Sequence, residues 1–224
     1  MRNFLLIVSV LLVALLVGCT SRFPAIETEY TTPPPVETEL TSVSIHDFTD
    51  YYQLIEHSSD EKNWIFFSMG CLFSQPEDVA LNYLFYLGVG YNGSWQDISE
   101  ESRAYLVERD FMEEMDLQIM PAETIEKILQ STFGISRSDV QIPSEWAYLE
   151  NEDVFCSNHN DAYVPGPFTI TDVIEYSDGT VKIYYTVEYF YDGNSGEFFD
   201  DPTLILKLLR QDDGSWLVMS NTFA

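Results

Sequence analysis

Two Asp-Gly pairs, Asp178-Gly179 and Asp213-Gly214, stand between runs in which apolar residues alternate, and they restrict the C-terminal part of this chain to antiparallel sheet. A two-residue hairpin turn needs positive φ, which Asp-Gly supplies at little cost and which matches the twist of the flanking strands. The first pair joins Phe168–Tyr176 to Val181–Tyr191, and the second joins Thr203–Gln211 to Leu217–Phe223. A period of two puts Val181, Ile183, Tyr185, Val187 and Tyr189 on one face, and Leu204, Leu206 and Leu208 on one face of the next strand, so both are predicted core faces. The intervening Asp192-Gly193-Asn194-Ser195-Gly196-Glu197 opens like a calcium loop. It then departs from that pattern: Gly196 has no side-chain oxygen, Glu197 replaces the turn glycine, and Thr203 replaces the closing glutamate. It reads as a long hairpin connection.

Ahead of Pro143 the apolar period is close to 3.6. A helix is predicted around His46–His57. Ser74-Gln75-Pro76-Glu77 carries a serine cap, an early proline and a glutamate three residues on, predicting a helix through Val79, Ala80, Leu81, Tyr83, Leu84 and Leu87 to Gly88. Another opens near Ser99-Glu100-Glu101 with Tyr105, Leu106, Phe111 and Met115 inward. A third opens at Pro121, with Ile125, Ile128, Leu129 and Phe133 inward and Gly134 as its stop. N-terminal helices packed on a C-terminal antiparallel β-meander make an α+β domain. The order resembles the cystatin-like or NTF2-like cone, a likeness of architecture that carries no function.

The chain has 37 acidic against 10 basic residues, a formal charge of -27. That excess argues against binding nucleic acid by neutralising phosphates and against docking on anionic lipid through a basic face. With 46% hydrophobic and 21% charged residues there is a core to bury, so the acidity is not that of a disordered polyelectrolyte.

The N-terminus speaks to location. After Met1 and Arg2, the run Phe4–Val17 is almost wholly apolar and is followed by Gly18 and Cys19, the pattern of a secretory signal. As a spanning helix that run would reach about 21 Å, short of a hydrocarbon core of about 30 Å. Leu16-Val17-Gly18-Cys19 resembles the lipobox of bacterial lipoproteins, which implies a lipidated Cys19 after removal of the signal. Thr20–Ser42 is rich in Thr, Glu and Pro, with Pro33-Pro34-Pro35 and the mutually repelling Glu27, Glu29, Glu37 and Glu39. As an extended tether it would reach about 75 Å. The predicted organisation is a signal over residues 1–18, the lipidated cysteine and tether over 19–42, and a single α+β domain over 43–224. The address is the extracytoplasmic face of a bacterial cell membrane, with the lipid as anchor.

Signals for chemistry are sparse. With Cys19 lipidated, Cys71 and Cys156 remain; export permits a disulfide, while the apolar run Trp64–Phe73 equally suits a buried thiol. The polar cluster Glu150-Asn151-Glu152-Asp153, followed by Asn158-His159-Asn160-Asp161, holds the catalytic candidates Asp153, His159 and Asp161. A histidine flanked by carboxylates can act as a general base or hold a divalent metal. The spacing matches no metal signature, and a solvated loop is the reading favoured here. Gly88-Val89-Gly90-Tyr91-Asn92-Gly93 has the letters of a dinucleotide fingerprint but follows a helix where a strand is required, so a glycine-rich loop is the better reading. No Gly-x-Ser-x-Gly occurs, and no motif implies a cofactor or a metal.

Pro76-Glu77-Asp78 with Leu81-Asn82-Tyr83-Leu84-Phe85, Thr132-Phe133-Gly134, Tyr148-Leu149-Glu150 leading to His159-Asn160-Asp161, and Gly214-Ser215-Trp216 to Ser220-Asn221 resemble a group of uncharacterised exported lipoproteins of Gram-positive bacteria. The resemblance implies location and no activity. Two function classes follow. The favoured one is a non-catalytic surface binding or interaction module for a protein or cell-wall ligand, suited to the tether and the aromatic-rich sheet. The alternative is a secreted hydrolase or metal-dependent enzyme using Asp153, His159 and Asp161.

Overall fold

The computed structural model describes residues 47–56, 63–86, 92–112, 116–158 and 166–224. The signal, Cys19 and the tether lie outside the described residues, as do Leu87, Gly88, Met115, His159 and Asp161.

The meander is present. Strands β5 (Phe168–Glu175), β6 (Thr180–Val187), β9 (Thr203–Arg210) and β10 (Trp216–Phe223) form an antiparallel sheet in the order β10-β9-β6-β5. Gly179 (φ 83°) and Gly214 (φ 86°) occupy the left-handed backbone region that the two tight turns require. Val181, Ile183, Tyr185 and Val187 are buried, and Leu204, Leu206 and Leu208 are fully so. Tyr189 departs from the expectation at 67% exposed. Pairing of β6 with β5 ends at Val187 and with β9 at Thr186, so Tyr189 lies beyond the four-stranded sheet. There β7 (Tyr189–Tyr191) and β8 (Phe198–Asp200) continue the β6/β9 hairpin as a two-stranded ribbon closed by residues 192–197. The calcium-like stretch is therefore the hairpin connection that its sequence suggests.

Helix α1 (Thr49–Ile55) falls within the predicted region and rests on β5, where the Tyr52 hydroxyl accepts the Ile170 N–H at 2.8 Å. Asn63 caps the next helix, α2 (Trp64–Ser68), by accepting the N–H groups of Ile65 and Phe66. The single helix predicted from Ser74 to Gly88 is broken. A 3₁₀ turn, Pro76–Asp78, precedes an extended Val79, and α3 spans Leu81–Tyr86. The Asp78 carbonyl accepts the Asn194 side-chain amide at 3.0 Å, a tertiary partner that competes with the continuing helical ladder. Helix α4 (Glu100–Glu108) begins at the predicted cap, where the Ser99 hydroxyl accepts the Ser102 N–H. Its Leu106 is buried, as is Phe111 just beyond it, but Tyr105 is 40% exposed and lies on the outer side. Helix α5 (Ala122–Phe133) follows the prediction closely: Ile125, Ile128, Leu129 and Phe133 are buried, and Gly134 ends it at φ 70°.

Strands also occur among the helices, contrary to the expected order. β1 (Asn92–Gly93), β2 (Leu117–Pro121), β3 (Ala147–Leu149) and β4 (Val154–Asn158) form a second antiparallel sheet in the order β1-β2-β4-β3. It separates two cores. Met120 and Phe155 face the larger one, shared with α1, α2, α3, α5 and the meander, whereas Leu117, Ala147, Leu149 and Cys156 join Ile98, Leu106 and Phe111 in the smaller. Gln118 is buried with its amide satisfied: it donates to the Phe85 carbonyl at 2.6 Å and accepts from the Ser157 hydroxyl at 3.1 Å. Cys71 packs in the larger core and Cys156 in the smaller, and both are free thiols.

Candidate functional site

The described part of the sequence-predicted cluster is Asp153, at the tip of the β3–β4 hairpin with φ 52°. Its carboxylate accepts the Tyr148 hydroxyl at 2.7 Å, and its carbonyl accepts the Ala122 N–H at 3.0 Å, so it ties the hairpin to the start of α5. Strand β4 then carries the chain about 13 Å from Val154 to Asn158 at 3.3 Å per residue, away from Asp153. Residues 150–153 form a turn, the apolar break after them is a strand whose Phe155, Cys156 and Ser157 are buried, and His159 and Asp161 lie outside the described residues. Of the glycine-rich stretch, Asn92 and Gly93 form β1, paired with Gln118 and Leu117, and residues 88–91 lie outside the described residues. Among the described residues no group of three or more His, Cys, Asp or Glu could hold a metal ion. None of their helices is long and apolar enough to cross a membrane.

The structure instead presents an aromatic slot where the meander runs out. It has a volume of about 370 Å³ and is lined mainly by Tyr83 of α3, Tyr185 and Val187 of β6, Tyr189 and Tyr191 of β7, and Phe198 of β8. Beyond Val187 the alternation shifts: Phe190 is buried in the core, Tyr189 is exposed, and Tyr191 is half-buried. The rings of Tyr83 and Tyr191 lie 6.2 Å apart, centroid to centroid, at 36°, and those of Tyr191 and Phe198 lie 4.9 Å apart at 51°. Tyr189 and Phe198, 67% and 63% exposed, stand at the rim.

Tyr83 is held from both sides by backbone. A Cβ at Gly70 would lie 1.9 Å from its Cε1, and one at Gly193 would lie 2.3 Å from its Cγ. The Gly193 N–H donates to the Gly70 carbonyl at 3.0 Å, closing this clamp. Asp192 anchors it: one carboxylate oxygen accepts the N–H groups of Leu72 (2.7 Å) and Asn194 (3.1 Å), and the other accepts that of Ser195 (3.0 Å). At the base, the Tyr185 hydroxyl donates to Asn221 Oδ1 at 2.8 Å. Burial pushes the Tyr83 and Tyr185 phenols well above the ordinary tyrosine range. None of the described lining side chains is an acid, a base or a nucleophilic serine or cysteine. The site can stack on and enclose a ligand.

A second cleft, about 630 Å³, opens between α1 and the turn end of the meander and includes Asp47, Asp50, Tyr51, Glu175, Arg210 and Trp216. It is larger, and several of its polar groups already have partners. The Tyr51 hydroxyl donates to Glu175, Asp47 accepts the Thr49 N–H at 3.0 Å, and the Arg210 guanidinium lies 5.7 Å from the centre of the Trp216 ring.

Sequence reasoning noted an aromatic-rich sheet without locating the slot. The available signal was the density of rings on either side of the Asp192 turn, with Tyr189 and Tyr191 two apart and Phe198 opposite Tyr191 in register.

Comparison with protein-family models, with curated proteins and with solved structures gives no match for this chain.

Proposed function

We propose that this chain is a membrane-anchored extracytoplasmic lipoprotein whose globular part is a non-catalytic binding module, with the aromatic slot as its ligand site. The observation that carries the reading is the slot itself: preformed rings at its wall and rim, rigid backbone behind Tyr83, and no acid, base or nucleophile among its described lining side chains. A pocket of this size suits a small ligand or the end group of a larger one. The signal-like N-terminus and the lipobox resemblance at Cys19 support the anchor. The Thr/Glu/Pro-rich segment supports a module held clear of the bilayer, and such a module needs no cofactor. Helix α5 laid on the four-stranded meander is the arrangement expected if the architecture belongs with the cystatin-like or NTF2-like cones.

Two measurements test the reading. Cys19→Ser should abolish lipid incorporation and leave the chain unprocessed or released, as read by mass spectrometry of membrane and medium fractions. Wild-type chain recovered from the medium with its signal intact would sink the anchor. Ligand-observed NMR with a mixed set of neutral and cationic fragments should find binders that compete with one another and are lost in Tyr189→Ala. An empty screen, or binders indifferent to that substitution, would sink the site.

A further inference from the structure

We propose that the aromatic slot receives a quaternary ammonium group, the cationic end of a choline-type ligand. This rests on the slot being the binding site and adds the chemistry of what enters it.

Four observations converge. The first is the ring arrangement: Tyr83, Tyr191 and Phe198 are neighbours along one wall, with Tyr189 at the rim and Tyr185 at the base. Aromatic faces attract a cation within about 6 Å, and enclosed sites gain most from this. The second is that the described lining side chains carry no charge. A primary ammonium entering such a place would find phenol hydroxyls but no carboxylate among the described lining side chains, whereas a trimethylammonium has no N–H to satisfy. Its surface is methyl groups, which the rings and Val187 can pack against.

The third is the charge of the whole chain. At -27, with no lysine or arginine among the slot's described lining residues, it attracts cations and repels anions. A negatively charged lipid or glycan has no countercharge to meet there, whereas a cation is complementary to the chain as a whole. The fourth is preorganisation: the Tyr185 hydroxyl is held by Asn221 at the base of the slot. The clamp of Gly70 and Gly193 on Tyr83 fixes one wall before a ligand arrives, which reduces the ordering cost of binding.

The test uses the full chain in a non-ionic detergent free of choline, titrated by calorimetry and followed by NMR of the aromatic resonances. The probes are choline chloride, phosphocholine, and 3,3-dimethylbutan-1-ol, a neutral isostere of choline. The expected result is saturable binding of choline or phosphocholine at least tenfold tighter than of the neutral alcohol, lost in the Tyr189→Ala/Phe198→Ala double variant. Both rings are exposed, so the double variant should keep the wild-type melting temperature. Preference between the two choline probes tells a free cation from a phosphorylated headgroup. Equal binding of the neutral alcohol overturns the inference but leaves the slot a binding site for neutral ligands. Failure of both choline probes while neutral fragments still compete at Tyr189 overturns the inference alone. Failure of every probe and fragment overturns the binding-site reading with it.

Discussion

The Asp192 carboxylate accepts the backbone N–H of Leu72 at 2.7 Å, joining the turn at the far end of the meander to the segment that leads into α3. Asn194 works beside it, its side-chain amide donating to the carbonyls of Leu72 and Asp78. Through these contacts a surface hairpin positions a buried helix, and the aromatic slot exists where the two meet. Asp192→Ala removes the acceptor for the N–H groups of Leu72, Asn194 and Ser195 at once. A loss of about 3 kcal/mol is expected, because partly buried donors left without acceptors cost more than an ordinary bond contributes. Urea unfolding measures it. Asp192→Asn keeps one acceptor oxygen and should lose less.

The backbone clamp on Tyr83 makes a second prediction. Gly70→Ala and Gly193→Ala each place a methyl inside the tyrosine ring's volume, with approach distances of 1.9 and 2.3 Å. Each should destabilise the fold by about 1–3 kcal/mol, the range for overpacking a tight core. Both should be partly rescued by Tyr83→Ala, which removes the obstructing ring. A double-mutant cycle that comes out additive would show that the ring is not what the glycines accommodate.

Asn221 is fully buried in β10 and serves three partners. It accepts from the Tyr185 hydroxyl at 2.8 Å and donates to the carbonyls of Met69 at 3.2 Å and Cys71 at 2.9 Å. Asn221→Ala orphans a phenol and reduces the bonding of two carbonyls in the core, so a loss of about 3–4 kcal/mol is expected, near the upper end for single substitutions. Tyr185→Phe removes one partner and leaves the two carbonyl bonds intact. It should cost about 1 kcal/mol, and thermal melts of the two variants give the ranking.

The buried thiols give a pH dependence with a definite sign. Burial pushes Cys71 and Cys156 from the ordinary 9.0 up to about 12. Both states of the chain hold these protons below pH 9, so the thiols do not change stability there. Between about pH 9 and 12 the unfolded chain loses them while the folded chain keeps them, and stability falls by up to about 1.4 kcal/mol per pH unit for each thiol. Cys71→Ala/Cys156→Ala should be less stable at pH 7 but should show a shallower decline above pH 9. In the same native protein a thiol reagent should react with neither cysteine at neutral pH, and reaction should appear on unfolding.

The elements legible in the residues were those whose signals are local. Asp178-Gly179 and Asp213-Gly214 determine two hairpins because the turn geometry selects them. Alternation determines which residues of β6 and β9 face the core. Ser99 and Gly134 determine where α4 begins and α5 ends, since capping needs a particular side chain or a left-handed backbone at one position.

What tertiary structure alone decided is everything that depends on a partner distant in the chain. Ser74 to Gly88 has the letters of one helix, yet Asn194 bonds the Asp78 carbonyl and Val79 becomes extended. Strands β1 and β2 are too short to show a period, and they exist because β4 supplies a ladder for β2 and β2 in turn one for β1. Cys71 and Cys156 are kept apart by the sheet between their two cores. Tyr189 has the alternation of a core residue, yet it stands 67% exposed beyond the ends of the β6 pairings at Val187 and Thr186 while Phe190 takes the core position. Pattern in a sequence specifies which way a side chain points relative to its own backbone. Whether that direction meets packed atoms or open space is set by where other segments end, and that is a property of the folded chain.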